Sequence, residues 1–186
     1  MTLLQARYGE RIPDLIHNGR TLQAGVFDEH AIRAASGVAL VLASVALAYA
    51  YFDANYLPMQ LITAGFFIEF VLRVAFGLRY APVGALGVWM ARNSTPRWLS
   101  AKSKRFTWTL GLLMSVLLLA IIFTGSRGAL PMAVCLVCMV MMWLETALGL
   151  CLGCELYRFV LRRGWIGHDA AIEICSRGAC DIDATR

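Results

Sequence analysis

Two cysteines in C-x-x-C spacing, Cys151 and Cys154, close the last long apolar stretch of the chain, within Glu145-Thr-Ala-Leu-Gly-Leu-Cys151-Leu-Gly-Cys154-Glu-Leu-Tyr157. At this spacing two thiols can bridge with little backbone movement, and one of them often has a lowered pKa. Glu145 precedes them by about two helical turns. A thiol–disulfide couple releases protons along with electrons, and a carboxylate held in apolar sequence is suited to handle them. Thiol redox or sulfur-transfer chemistry is therefore the first expectation. Cys151 and Cys154 are its reactive pair and Glu145 its proton-handling group.

The remaining thiols read differently. Cys135 and Cys138 share the same spacing but sit in a wholly apolar run, where free cysteine packs as a small hydrophobe. Cys175 and Cys180 lie in the polar tail. Together with Cys151 and Cys154 they would give four thiolates, a spacing loosely like a zinc ribbon, with His168 a conceivable further ligand. The second half departs from the usual C-x-x-C, so no metal ligand is assigned. Gly149 and Gly153 form a small-xxx-small pair that would let another helix approach closely.

Glu69 and Arg73 form a second group of charges, four residues apart in an apolar run, so that both can face one way on a helix. A charge at mid-bilayer costs at least ~2.5–3.5 kcal/mol on insertion scales, so such residues face a bundle interior and pair. The expected intramembrane network is Glu69, Arg73 and Glu145, with Arg73 bridging to Glu69, to Glu145 or to both. One reading of this network is an ion pair that fixes helix register. The other is that the extra carboxylate relays protons to the thiols. Both stand at this point.

The elements that must position these residues are membrane helices. Hydrophobic residues make up 59% of the chain and the mean hydropathy is +0.64. A bilayer crossing needs about 20 apolar residues, and four blocks qualify, at about 34–52, 57–78, 106–123 and 130–152. The expected fold is an all-α membrane protein, a four-transmembrane-helix bundle. A short interfacial amphipathic segment, carrying Val83, Leu86, Val88, Trp89 and Met90, joins helices 2 and 3. Residues 1–30 and 158–186 form tails, and 31–157 the membrane domain. The first thirty residues carry charges before any apolar run, unlike a cleavable secretory signal.

Loop charges set the expected orientation. The stretch 79–105 holds Arg79, Arg92, Arg97, Lys102, Lys104 and Arg105 with no acid, and Arg158, Arg162 and Arg163 follow the fourth block. The positive-inside rule then puts both termini in the cytoplasm of a bacterial inner membrane. The net charge of +5 is accounted for by these loops, which argues against nucleic-acid binding.

With these residues in hand, the chain resembles a bacterial family of small four-helix membrane proteins catalogued as a domain of unknown function. The resemblance rests on Phe27-Asp-Glu-His-Ala-Ile-Arg33, on Glu69 to Arg73 with Phe76-Gly-Leu-Arg79-Tyr80-Ala-Pro82, on Pro96-Arg-Trp98 with Lys104-Arg105-Phe106, and on Glu145 to Tyr157. The C-L-G-C-x-L-Y ending is the most specific of these, and the match covers roughly residues 25–160. Where the family usually has serine before Pro82, this chain has Ala81. The resemblance implies the fold and topology and no particular activity.

The leading functional expectation is thiol–disulfide or sulfur-transfer chemistry at the cytoplasmic face. Its partner would be a thioredoxin-like or sulfur-carrier protein docking on the basic surface, or a quinone within the bilayer. The rival expectations are a small-anion transporter or transporter subunit, with Arg73 and the glutamates lining its path, and a structural or assembly protein. Four spans make a minimal pore unless a homo-oligomer forms. The cofactor is unknown from the sequence; nucleotide-binding glycine loops, G-x-S-x-G and H-E-x-x-H are all absent.

Overall fold

The computed structural model describes residues 25–164 apart from Pro96, together with the backbone at Ile16–His17 and Arg20–Thr21. Cys175, Cys180 and His168 lie outside the described residues. Four helices are long and apolar enough to cross a membrane: α1 (Glu29–Phe52), α2 (Leu57–Ala75), α4 (Ala101–Phe123) and α5 (Ala129–Leu148). Between α2 and α4 runs the short apolar helix α3 (Pro82–Ala91), and after α5 comes α6 (Leu152–Arg162). Val41, Leu61, Ile68, Leu113, Leu136 and Val137 point outward from the bundle, an apolar surface suited to lipid. The chain is a multi-pass helical membrane protein.

The short strand β1 (Ile16–His17) pairs antiparallel with β2 (Arg20–Thr21). A second pair has more consequence for the bundle. Strand β3 (Val26–Asp28) runs antiparallel to β4 (Trp98–Ser100), with Phe27 opposite Leu99. These strands lead directly into α1 and α4, so the ladder clamps the first turns of the two helices side by side. Asp28 adds to the clamp by accepting the His30 N–H at 3.0 Å, as helix cap, and the Arg97 N–H at 3.3 Å. Neither strand pair is marked in the sequence. Residues 101–105, expected in a basic loop, form the first turn of α4.

Helix α1 packs against α3 and α5, α2 packs against α4, and α6 lies against α4. The short segment between the second and third spans turns Gly84 and Gly87 inward, Gly87 onto the α1 backbone at Ala31, and leaves Leu86, Trp89 and Met90 exposed. Two apolar cores result. One lies at the end that carries the clamp and the basic loop, here called the basic end, and includes Phe27, Ile32, Leu78, Leu99 and Trp108. The other lies toward the opposite end and includes Ala46, Tyr56, Met59, Leu118, Ile122 and Cys135.

The fourth span departs from its expected course. It stops at Leu148, because Gly149 adopts the left-handed region (φ 67°) and the N–H groups of Gly149 and Leu150 close back on the carbonyls of Glu145 and Leu144. Arg33 reinforces the stop, its guanidinium donating to the carbonyl oxygens of Thr146 (2.9 and 3.1 Å) and Ala147 (3.2 Å). Gly149 and Gly153 therefore do not share a helix. Cys151 and Cys154 open a new helix instead of ending the old one.

Candidate functional site

The helix break decides what the dithiol can do. Cys151 is the N-cap of α6, and its sulfur accepts the backbone N–H of Cys154 at 3.3 Å. A helix N-terminus presents unpaired N–H groups and a partial positive charge, which favours an anionic sulfur. The Cys154 thiol donates to the same sulfur, with Sγ–Sγ 2.6 Å. Both cysteines are free thiols, and both are buried.

The third partner is Thr107 on α4, whose Oγ1 lies 3.4 Å from Cys151 Sγ and 3.6 Å from Cys154 Sγ. The same hydroxyl donates to the Ser103 carbonyl at 3.1 Å. With a single proton, it can accept from a thiol while bonded to Ser103, or rotate and donate to a thiolate. Gly153 makes this approach possible, since a methyl group at that position would sit 2.6 Å from Thr107 Oγ1.

These contacts split the two thiols. Hydrogen bonding from Cys154, followed by the nearby Lys104 cation and the Thr107 hydroxyl, brings Cys151 down to about 6, against opposition from burial and from the Glu145 charge. Cys154 moves the opposite way, well above the ordinary thiol range, because it donates its proton to Cys151 and is buried. One thiol is thus drawn toward its anionic form and the other held protonated.

Behind the dithiol lies a polar network. Glu145 accepts from Lys104 Nζ at 2.6 Å and from Ser36 Oγ at 2.8 Å. Lys104 is only 3% exposed, and its burial is possible because Glu145 neutralises it. Lys104 and Ser36 were missed in the sequence. Lys104 reads there as one of several basic loop residues, and only the β3–β4 clamp shows that it turns inward one turn into α4.

Arg73 bridges to Glu69, with Nη2 and Nε at 2.8 and 2.9 Å from Oε1. Glu69 also accepts the Val83 and Gly84 N–H groups at 3.0 and 2.8 Å, so its carboxylate caps the N-terminus of α3. Phe70 and Trp108 cover the guanidinium at 5.7 and 5.9 Å. The i, i+4 pairing read from the sequence is present, and the carboxylate it uses anchors the short helix.

Glu69, Arg73, Glu145 and Cys151 meet at one end of a cavity of about 420 Å³ among the helices. Ser36, Glu69, Arg73, Thr107, Glu145 and Cys151 line its basic end, and Ala43, Ala46, Met59, Met114 and Leu118 line its apolar length. Cys135 and Cys138 also face it. Among the described residues, no group of three or more His, Cys, Asp or Glu is placed to hold a metal ion.

Residues 27–162 match the family described as Domain of unknown function (DUF4395). The chain belongs to this family. The matched region contains the whole of the site in this DUF4395 protein, from the α1 cap at Asp28 to the end of α6. No curated protein and no solved structure matches the chain.

Proposed function

We propose that the protein is a membrane thiol–disulfide oxidoreductase whose reactive group is the Cys151–Cys154 pair. The observation that carries this reading is the placement of Cys151 at the N-cap of α6, where the Cys154 N–H, the Cys154 thiol and Thr107 converge on one sulfur. Cys151 attacks as thiolate. Cys154 resolves the resulting bond and loses its proton. The Lys104–Glu145 pair supplies the nearby positive charge that favours the Cys151 anion, and Glu145 serves the site through Lys104 instead of touching a sulfur directly.

The anion-transport reading draws less support, because the Arg73 and Lys104 cations are each matched to a carboxylate within the bundle. Positive-inside loop charges favour a bacterial inner membrane with the basic end in the cytoplasm. In that compartment the resting form is the dithiol.

Methyl methanethiosulfonate, small and uncharged, tests the two roles. Cys154→Ser should accumulate a stable methylthio adduct on Cys151, wild type should pass through it to the internal disulfide with release of methanethiol, and Cys151→Ser should do neither. Mass spectrometry of the intact protein reads all three. Equal labelling of the two single variants would overturn the assignment of nucleophile and resolver.

A further inference from the structure

Oxidising a dithiol needs an acceptor of two electrons, and the structure restricts how one can arrive. Cys151 and Cys154 are 5% and 7% exposed, so a folded protein partner has no direct access to either sulfur. Cys151 is nevertheless part of the cavity wall, on the inside of the bundle. The cavity runs from Glu145 to Cys135 along α5 and from Arg73 to Met59 along α2, about 15–20 Å of bundle axis at 1.5 Å per residue. Its volume of about 420 Å³ is that of a small-molecule site. One end is polar and carries the nucleophile, and the rest is apolar. Nicotinamide and flavin nucleotides bring anionic phosphates that the apolar length would leave unpaired.

We propose that this cavity binds a lipid-borne quinone, its ring at the Cys151 end and its hydrocarbon tail along Ala43, Met114 and Leu118. This rests on the dithiol reading above and names its electron acceptor. The Cys151 thiolate adds to the quinone ring through a C–S bond. Cys154, giving up its proton, then attacks Cys151 Sγ, so that the S–S bond forms as the C–S bond breaks and its electron pair stays with the ring. The quinone becomes a quinol, with one proton from Cys154 and one from the medium, matching the proton that Cys151 released on ionising. Two thiols and one quinone give one disulfide and one quinol.

The test uses the full-length protein in phosphatidylcholine nanodiscs, without oxygen, with decyl-benzoquinone as probe. Disulfide formation is read by alkylation and mass spectrometry, and quinol by absorbance. Saturable reduction is expected, with one quinol formed per Cys151–Cys154 disulfide. Filling the cavity with Ala43→Leu or, separately, Met114→Phe should raise the half-saturating quinone concentration roughly tenfold or more, as lost pocket contacts do. Oxidation by the small soluble agent diamide should be unchanged in both variants, which also shows that they are folded. Diamide oxidation with no quinol would overturn the quinone proposal and leave the dithiol reading standing. Quinol formation equally fast in wild type and both variants would remove the cavity from the proposal and overturn it. Failure of both oxidants to form the disulfide would overturn the dithiol reading and this inference with it.

Discussion

Cys135–Cys138 and Cys151–Cys154 have the same spacing and opposite surroundings. The first pair lies inside the continuous helix α5, where the backbone N–H groups are committed to helix bonds, and Cys135 belongs to an apolar core. The second pair begins a helix. There Cys151 Sγ takes up the N–H of Cys154, which lies in the first turn and has no partner earlier in α6. Lys104 and Thr107 stand near the second pair, whereas Cys135 of the first shares a core with Ala46, Tyr56, Met59 and Leu118. Spacing alone thus permits a bridge, and the helix start with the groups around it decides which sulfur is drawn toward the anion. A single left-handed glycine, Gly149, separates the two situations on one stretch of chain.

The comparison is broken most strongly at Lys104. Lys104→Met leaves Glu145 buried without its cation, and breaking a buried pair in this way costs about 3–5 kcal/mol. Thermal unfolding in detergent should show that loss. The double variant Lys104→Met/Glu145→Met should recover most of it, since apolar replacement of both partners is often neutral. A single variant as stable as wild type would remove the pair from the account.

A smaller effect is expected at Gly153, where an added methyl would press on Thr107. Gly153→Ala should destabilise by about 1–3 kcal/mol through overpacking and slow alkylation of Cys151. The contrasting position is Gly65 in α2, where an added methyl meets nothing within 4 Å. Gly65→Ala should be neutral or slightly stabilising, by up to about 1 kcal/mol of helix propensity. If the two substitutions behave alike, the close approach of α6 to Thr107 is not what holds the site.

The finest adjustment lies in pH. A Cys151 thiol lowered to about 6 is thiolate above that pH, so its iodoacetamide reactivity should rise through pH 6 and level off by neutrality. Thr107→Val removes a hydroxyl that can donate to the thiolate. It should move the midpoint upward by less than about one pH unit, the worth of one modest hydrogen bond. A profile rising only above pH 8 in wild type would contradict the split between the two thiols.

Much of the bundle is written in hydropathy, because four blocks near 20 residues leave few alternatives, and Glu69–Arg73 follows from helical spacing alone. The site is less legible. Leu148, Leu150 and Leu152 keep the sequence apolar across the break, so the fourth span reads as running to about residue 152 when it ends at Leu148. What stops it is a backbone angle at Gly149 and a guanidinium from α1, and neither leaves a mark on local hydropathy. Lys104 is equally hidden. It stands beside Lys102 and Arg105, and only the pairing of two three-residue strands, far apart in the chain, turns it toward Glu145 and Ser36. Thr107 and Ser36 are ordinary residues until the helices that carry them are placed.

The most direct measurement is the redox titration of Cys135, Cys138, Cys151 and Cys154 in native membranes by differential alkylation and mass spectrometry. The account predicts that Cys151 and Cys154 form a reversible disulfide with a midpoint in the cellular thiol range, roughly −200 to −300 mV, while Cys135 and Cys138 stay reduced across it. A Cys151–Cys154 pair that never oxidises reversibly, or that titrates indistinguishably from Cys135–Cys138, would contradict it.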